Sequence, residues 1–191
     1  AFALSTRVND GVVAVSTSLT QLLSAREVTG VLAHEFAHLR HRDSALSLSA
    51  GTFVHGISAI STVFSFLLVL LSLTGGLPVD GSLLPTVLLV VAAPYVARAL
   101  QAGLMRTRER LADETAARLT GDPRGLVSAL VKLERYNRYL RGLFRRFRFL
   151  YTTETDGGPG WLRTHPPTEE RVENLLRYES RTVVHPALRT A

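Results

Sequence analysis

Cysteine is absent from the 191-residue chain, which excludes disulfides, cysteine-ligated zinc and a thiol nucleophile. Lysine is nearly absent too, because Lys132 is the one lysine among 22 basic residues. The net charge of +6 comes without any motif typical of DNA- or RNA-binding domains, so we expect no nucleic acid partner. Because the sequence begins at Ala1 rather than at a methionine, we expect a fragment of a longer protein.

Charged side chains are absent from residues 44–79. Within this stretch, residues 52–74 form an apolar run that exceeds the roughly 20 residues needed to span a bilayer. A loop that contains glycine and proline follows, and residues 83–103 form a second apolar run. Two such runs favour a transmembrane helical hairpin over a buried hairpin of a soluble protein. We therefore predict a hairpin at residues 44–104, with the lipid bilayer as a partner.

Arginine residues flank this hairpin on both sides, whereas its loop holds a single charged residue, Asp80. Two precede the first span and three follow the second: Arg40, Arg42, Arg106, Arg108 and Arg110. Positively charged flanks stay in the cytoplasm. We therefore expect a multi-pass protein of the cytoplasmic membrane, with residues 1–43 and 105–191 on the cytoplasmic side.

The remaining segments predict a mainly α-helical fold with a small N-terminal sheet. The Asp10-Gly11 pair between valine-rich runs is typical of a type I′ turn, which predicts a β-hairpin. Ser24 and Glu27 have the spacing of a capping box, at the start of a helix that continues through residue 39. The second span is expected to continue as a helix into water, and further helices are expected from Asp122 onward and after residue 167.

The helix after Ser24 contains the sequence HEFAH at residues 34–38. His34 and His38 are four residues apart, which places both imidazoles on one helix face, where they can hold one zinc ion. Glu35 lies beside them, as the general base of a metalloprotease does. His41 lies about 10 Å along the axis from His34, too far to share that ion, and we expect a supporting or surface role for it. The alternative is a solvated helix face that is rich in histidine.

Three separated motifs resemble those of the membrane zinc metallopeptidases of the HtpX and Ste24 type. They are HEFAH at 34–38, RERLAD at 108–113 and THPPTEERVENL at 164–175, in this order. The resemblance covers essentially the whole chain. It implies a single metallopeptidase domain over residues 1–191, with an α+β zincin-like catalytic core and the two-span hairpin inserted between the zinc-ligand helices.

The resemblance also implies the rest of the site. Glu109 would be the third ligand of one zinc per chain, and Asp113 would accept a hydrogen bond from a ligand histidine and fix its tautomer. The alternative for these two residues is a solvated pair on a helix surface. His165 would return to the active-site cleft as a donor to the oxyanion. Otherwise His165 caps the following helix or pairs with Glu169 or Glu170.

The implied function is that of an integral-membrane zinc endopeptidase that hydrolyses peptide bonds of membrane or misfolded proteins, with Glu35 as general base. A first alternative is a catalytically silent membrane interaction module, stapled together by the same zinc. A second gives the Arg- and Phe-rich segment 140–151 the role of an amphipathic lipid anchor. The strand at residues 12–15 is either an edge that binds the polypeptide substrate or an ordinary paired strand.

Overall fold

The computed structural model describes residues 1–7, 10–76, 81–144 and 165–184. Most of these residues are helical, as predicted. The elements, in chain order, are β1 (Phe2–Arg7), β2 (Asp10–Ala14), α1 (Thr17–Leu22), α2 (Ala25–Arg40), α3 (Asp43–Leu73), α4 (Leu84–Thr120), α5 (Pro123–Phe144) and α6 (Thr168–Val184).

The predicted β-hairpin is present, but its predicted turn is wrong. Strands β1 and β2 pair antiparallel, and Arg7 is the partner of Asp10. Asp10 and Gly11 therefore belong to β2, and the connection falls on residues 8 and 9, which lie outside the described part of the chain. Gly11 has a packing role instead, because a Cβ atom there would lie 3.0 Å from Cδ1 of Leu39. The missing side chain lets α2 approach the sheet.

The predicted capping box begins α2 and also joins it to α5. The Ser24 hydroxyl accepts a hydrogen bond from the Glu27 backbone, and the Glu27 carboxylate accepts one from the Ser24 backbone at 2.8 Å. The same buried carboxylate accepts hydrogen bonds from Ser128 at 2.5 Å and Lys132 at 2.7 Å, both on α5. Burial raises the pKa of Glu27, but these hydrogen bonds outweigh it and lower the pKa to about 2.

We expect Glu27→Gln to destabilise the protein by about 1–3 kcal/mol at neutral pH, and by less in acid. The folded-state pKa of Glu27 lies below its ordinary value of 4.5. Its contribution is therefore complete above pH 4.5 and is lost as the pH falls toward 2. The measurement is the thermal midpoint of wild type and variant from pH 7 to pH 3. Glu134→Gln, which breaks an exposed pair with Arg138 on α5, is the control and should shift the midpoint little.

A shared apolar core holds α2 in place. Gly30 of α2 lies against α5, because a Cβ atom at this position would lie 2.8 Å from the backbone nitrogen of Leu126. Helices α1, α2, α4, α5 and α6, together with the residue that follows α1, contribute the buried core residues, which are Leu19, Leu23, Val31, Ala33, Ala116, Ala117, Leu126, Ala129 and Leu175. The back face of α2 is fixed by this core, so its other face can present the histidines.

Residues Ala45–Met105 belong to a second compact unit. It contains α3 from Ala45 onward and α4 as far as Met105. The most apolar 18-residue windows of these helices have mean hydropathy of 2.2 and 1.6, and only 6% of each window is buried. Such low burial argues against the hairpin being the core of a soluble domain. By length and composition, both helices can cross a membrane.

Candidate metal centre

Two imidazole nitrogens point at each other from one face of α2. The Nε2 atoms of His34 and His38 lie 3.0 Å apart, and the two rings meet edge to face at 88°. His34 is buried and His38 is partly buried. The four-residue spacing thus brings both imidazoles to one point, as predicted from the sequence.

Glu109 of α4 completes a three-residue group at this point. One of its carboxylate oxygens lies 3.6 Å from Nε2 of His34, and the other lies 3.7 Å from Nε2 of His38. One ligand atom from each of the three side chains lies within 4.8 Å of the others. The predicted ligands are therefore brought together, although α2 and α4 are far apart in the sequence.

The geometry of this group fits a zinc ion. Two ligands bound at 2.0–2.1 Å to a tetrahedral zinc lie about 3.3 Å apart. The two Nε2 atoms are separated by 3.0 Å, so a small movement would admit the ion. Two imidazoles and one carboxylate form the ligand set of several catalytic zinc sites, and they leave one position open.

The first histidine is held by the carboxylate predicted for it. Nδ1 of His34 lies 2.9 Å from Oδ1 of Asp113, which is buried one helical turn beyond Glu109. A proton on Nδ1 is donated to this carboxylate, so Nε2 keeps its lone pair for a metal. The i,i+4 spacing of Glu109 and Asp113 thus places on one helix face a candidate ligand, Glu109, and the carboxylate that holds another candidate ligand, His34.

The second histidine is held by Asp43, whose role the sequence reasoning missed. Nδ1 of His38 lies 2.6 Å from Oδ2 of Asp43, the first residue of α3. Arg42, with φ of 55°, turns the chain in the left-handed region between α2 and α3. Arg108 donates hydrogen bonds to Asp43 and, at 2.8 Å, to the carbonyl oxygen of His41. Each imidazole therefore has its own carboxylate partner, buried in the case of Asp113 and partly buried in the case of Asp43.

Arg171 of α6 supplies positive charge beside the carboxylates. It donates two hydrogen bonds to Asp113, at 2.8 and 2.6 Å, and its Nη1 lies 3.5 Å from Glu109. Burial lowers the pKa of Arg171, but the bonds to Asp113 and the charges of nearby carboxylates raise it overall. The THPPTEERVENL motif contains Arg171, but no role could be read from its position alone.

The carboxyl groups of Glu109 and Asp113, both on α4, are ionised at neutral pH. Burial raises the pKa of Glu109, but a hydrogen bond with His165 and the charge of Arg171 outweigh it, and the pKa falls to about 2. Burial likewise raises the pKa of Asp113, and its hydrogen bonds with Arg171 and His34 lower it further than burial raises it. A site with ionised carboxylates and inward-facing imidazole nitrogens is prepared for a cation.

The other predicted site residues lie around this group. Nδ1 of His165 is 3.1 Å from Glu109, while its side chain is 73% exposed. Glu35 lies between His34 and His38 in the sequence, and its side chain is partly buried. Its negative charge helps to raise the pKa of Arg171. His41 ends α2, outside the three-residue ligand group, and burial lowers its pKa.

The sequence model of peptidase family M48 matches residues 1–179 of the chain. The chain belongs to this family. The match includes His34, His38 and Glu109 and both carboxylates that contact the histidines.

Several relatives carry the name protease HtpX homolog. The protein from Acaryochloris marina is 35% identical over 98% of this chain and 65% of its own length. Those from Methylibium petroleiphilum and Pyrococcus abyssi are 34% and 35% identical, and the alignments cover 92% and 93% of this chain and 63% of each relative. The chain thus spans slightly less than two thirds of the length of these relatives. No solved structure matches it.

Proposed function

We propose that this M48 member is an integral-membrane zinc endopeptidase that hydrolyses peptide bonds of membrane or misfolded proteins. The observation that carries the proposal is the meeting of His34, His38 and Glu109 at one point, with Glu35 next to the first ligand. The catalytic unit would have a zincin-like core. The substrate class rests on the family resemblance.

One zinc ion per chain would be held by His34, His38 and Glu109. When bound, zinc lowers the pKa of a water molecule and polarises the scissile carbonyl group. Asp113 and Asp43 hold the two imidazoles in the tautomer that leaves Nε2 free.

Glu35 would carry out the proton transfers of the reaction. Its carboxylate accepts a proton from the attacking water and then delivers it to the nitrogen of the leaving amine, so no net proton stays on the enzyme. His165 can donate a hydrogen bond to the oxyanion that develops on the substrate. Its contact with Glu109 positions the imidazole at the edge of the site, while its exposure leaves it accessible to substrate.

Strand β2 is the proposed edge for the substrate backbone. Its partner in the described part of the chain is β1, on one side. Val12 is 64% exposed, so an extended polypeptide could add to this strand.

The metal assignment predicts that purified protein contains one zinc per chain and that His34→Ala or Glu109→Ala loses both zinc and cleavage. Each variant removes one of three ligands, which a catalytic zinc site cannot spare. Zinc is measured by mass spectrometry and cleavage with an unfolded polypeptide on the same sample. His41→Ala is the matched control, since this histidine also lies near α2 but outside the ligand group. Full zinc occupancy in Glu109→Ala would contradict the ligand set.

A catalytically silent module stapled by zinc is the competing function. A structural site needs no base, so the intact Glu35 beside the ligands favours the enzyme. The lipid-anchor hypothesis depends on segment 140–151. Within this segment, only the side chain of Leu140 is described. Cleavage by the wild-type protein together with zinc binding separates the enzyme from both alternatives.

Helices α3 and α4 are proposed to cross the membrane, with the metal centre on the cytoplasmic side. We expect a single cysteine introduced at position 79 to react with an impermeant thiol reagent added to intact cells, since arginine-rich flanks remain inside. The absence of native cysteine makes the background low. Glu173→Cys is the control for the cytoplasmic side, since Glu173 is exposed whereas nearby Leu175 is buried. Reaction at position 79 only after permeabilisation would show that the loop lies inside, opposite to the predicted orientation.

A further inference from the structure

Arginine side chains line a cavity, with a volume of about 440 Å³, between the C-terminal part of α4 and α6. Arg110 and Arg118 come from α4, and Arg177 and Arg181 come from α6. This volume falls in the range of small-molecule sites. None of the four arginines belongs to the proposed zinc-ligand group.

Helical spacing places these side chains opposite one another. Arg110 and Arg118 are eight residues apart, and Arg177 and Arg181 are four apart, so each pair follows one face of its helix. Asn174 and Tyr178 lie on the same side of α6 and also line the cavity. The walls therefore present guanidinium, amide and hydroxyl donors to one space.

The positive charge of the cavity is incompletely balanced. Arg110 approaches Glu170 at 3.3 Å and Arg177 approaches Glu173 at 2.6 Å, and all four side chains are well exposed. Exposed pairs of this kind contribute little stability and exchange partners readily.

The other two arginines have no such partners. Within the described part of the chain, the side chains of Arg118 and Arg181 make no hydrogen bond or ion pair, although Glu114 contributes one negative charge to the lining. Their side chains are thus available to an incoming anion.

We propose that this cavity binds a phosphate-bearing group. Guanidinium groups match the oxygens of a phosphate in paired hydrogen bonds, and several of them around one space favour a multiply charged anion over a single carboxylate. A bound phosphate would relieve the repulsion among four like charges, and the phenol and amide would complete its hydrogen bonds. The group is either a soluble phosphate or the headgroup of an anionic phospholipid.

The test compares two double variants of the full chain in detergent. Arg118→Gln with Arg181→Gln removes two positive charges from the cavity. Arg135→Gln with Arg138→Gln removes two from α5, outside the cavity lining. The probes are inorganic phosphate, titrated against chloride at equal ionic strength, and short-chain phosphatidylglycerol, titrated against phosphatidylcholine with the same acyl chains.

We expect saturable binding of at least one phosphate probe to wild type and to the α5 variant, weakened at least about 10-fold in the cavity variant. Binding of inorganic phosphate identifies a soluble ligand, and binding of phosphatidylglycerol alone identifies a lipid headgroup. The proposal fails if neither probe binds, or if both double variants lose binding equally. Equal thermal midpoints of the two variants exclude unfolding as the cause.

Discussion

The Glu35→Gln variant should keep one zinc per chain, while its kcat for peptide hydrolysis falls by about 10²- to 10⁴-fold. Glutamine has the shape of glutamate, so His34, His38 and Glu109 keep their positions and still bind the ion. The amide cannot accept the proton of the attacking water, and so the proton transfer is lost. Zinc content and kcat are measured on the same detergent-purified sample with an unfolded polypeptide as substrate.

Two comparisons make this result specific. Glu134→Gln, the same substitution at an exposed pair on α5, should keep both zinc and activity. His165→Ala should keep zinc and lower kcat by about 10- to 1,000-fold with little change in KM, the range for one lost oxyanion donor. Cleavage by Glu35→Gln at the wild-type rate would refute the enzyme proposal, whereas loss of its zinc would give Glu35 a structural role.

Local signals in the sequence predicted most of the helical framework. The capping box at Ser24 and Glu27 forms because both partners lie within one helical turn. The two predicted apolar runs are helical except for one residue at the loop end of each, Thr74 and Leu83. The prediction of a turn at Asp10-Gly11 was wrong because a glycine can also be required for packing. The glycine meets Leu39, which is distant in sequence, and no local pattern reveals that contact.

The site residues likewise differ in whether local sequence signals could predict them. Two of the predicted ligands, His34 and His38, follow from helical spacing within α2, which is local information. Glu109 and Asp113 required the resemblance, because their place beside α2 depends on tertiary packing. Asp43 could have been predicted, because a metal-binding imidazole needs an acceptor for its second nitrogen. The sequence interpretation assigned such an acceptor to one histidine only.

A separate arginine residue holds each of the two supporting carboxylates, Asp113 and Asp43. Arg171 binds Asp113 and approaches Glu109, and Arg108 binds Asp43 and the end of α2. Each guanidinium fixes a carboxylate that in turn orients an imidazole. Helices α2, α3, α4 and α6 thus all contribute to the orientation of two nitrogen atoms, although α2 alone carries them.

This arrangement predicts that Asp43→Asn weakens zinc binding by about 10- to 100-fold, as much as Asp113→Asn does. Asparagine fills the same space and can still accept a hydrogen bond from His38. Without the negative charge, however, the imidazole is a weaker ligand and Arg108 loses its ion pair. The zinc dissociation constant is measured on metal-free protein by competition with a chelator. The kcat is then measured at saturating zinc, where the variant should regain most of the wild-type value.

A structural role would give a different pattern, which a matched variant reveals. Asp122 also pairs with an arginine, Arg26, and supports the start of α5, but it contacts no ligand histidine. Asp122→Asn should therefore lower the thermal midpoint without changing the zinc dissociation constant. If Asp43→Asn behaved like Asp122→Asn while Asp113→Asn weakened zinc binding, then His38 would need no carboxylate to bind the metal. Loss of zinc affinity in both Asp43→Asn and Asp113→Asn, at thermal midpoints no lower than that of Asp122→Asn, would establish that each histidine depends on its own acidic partner.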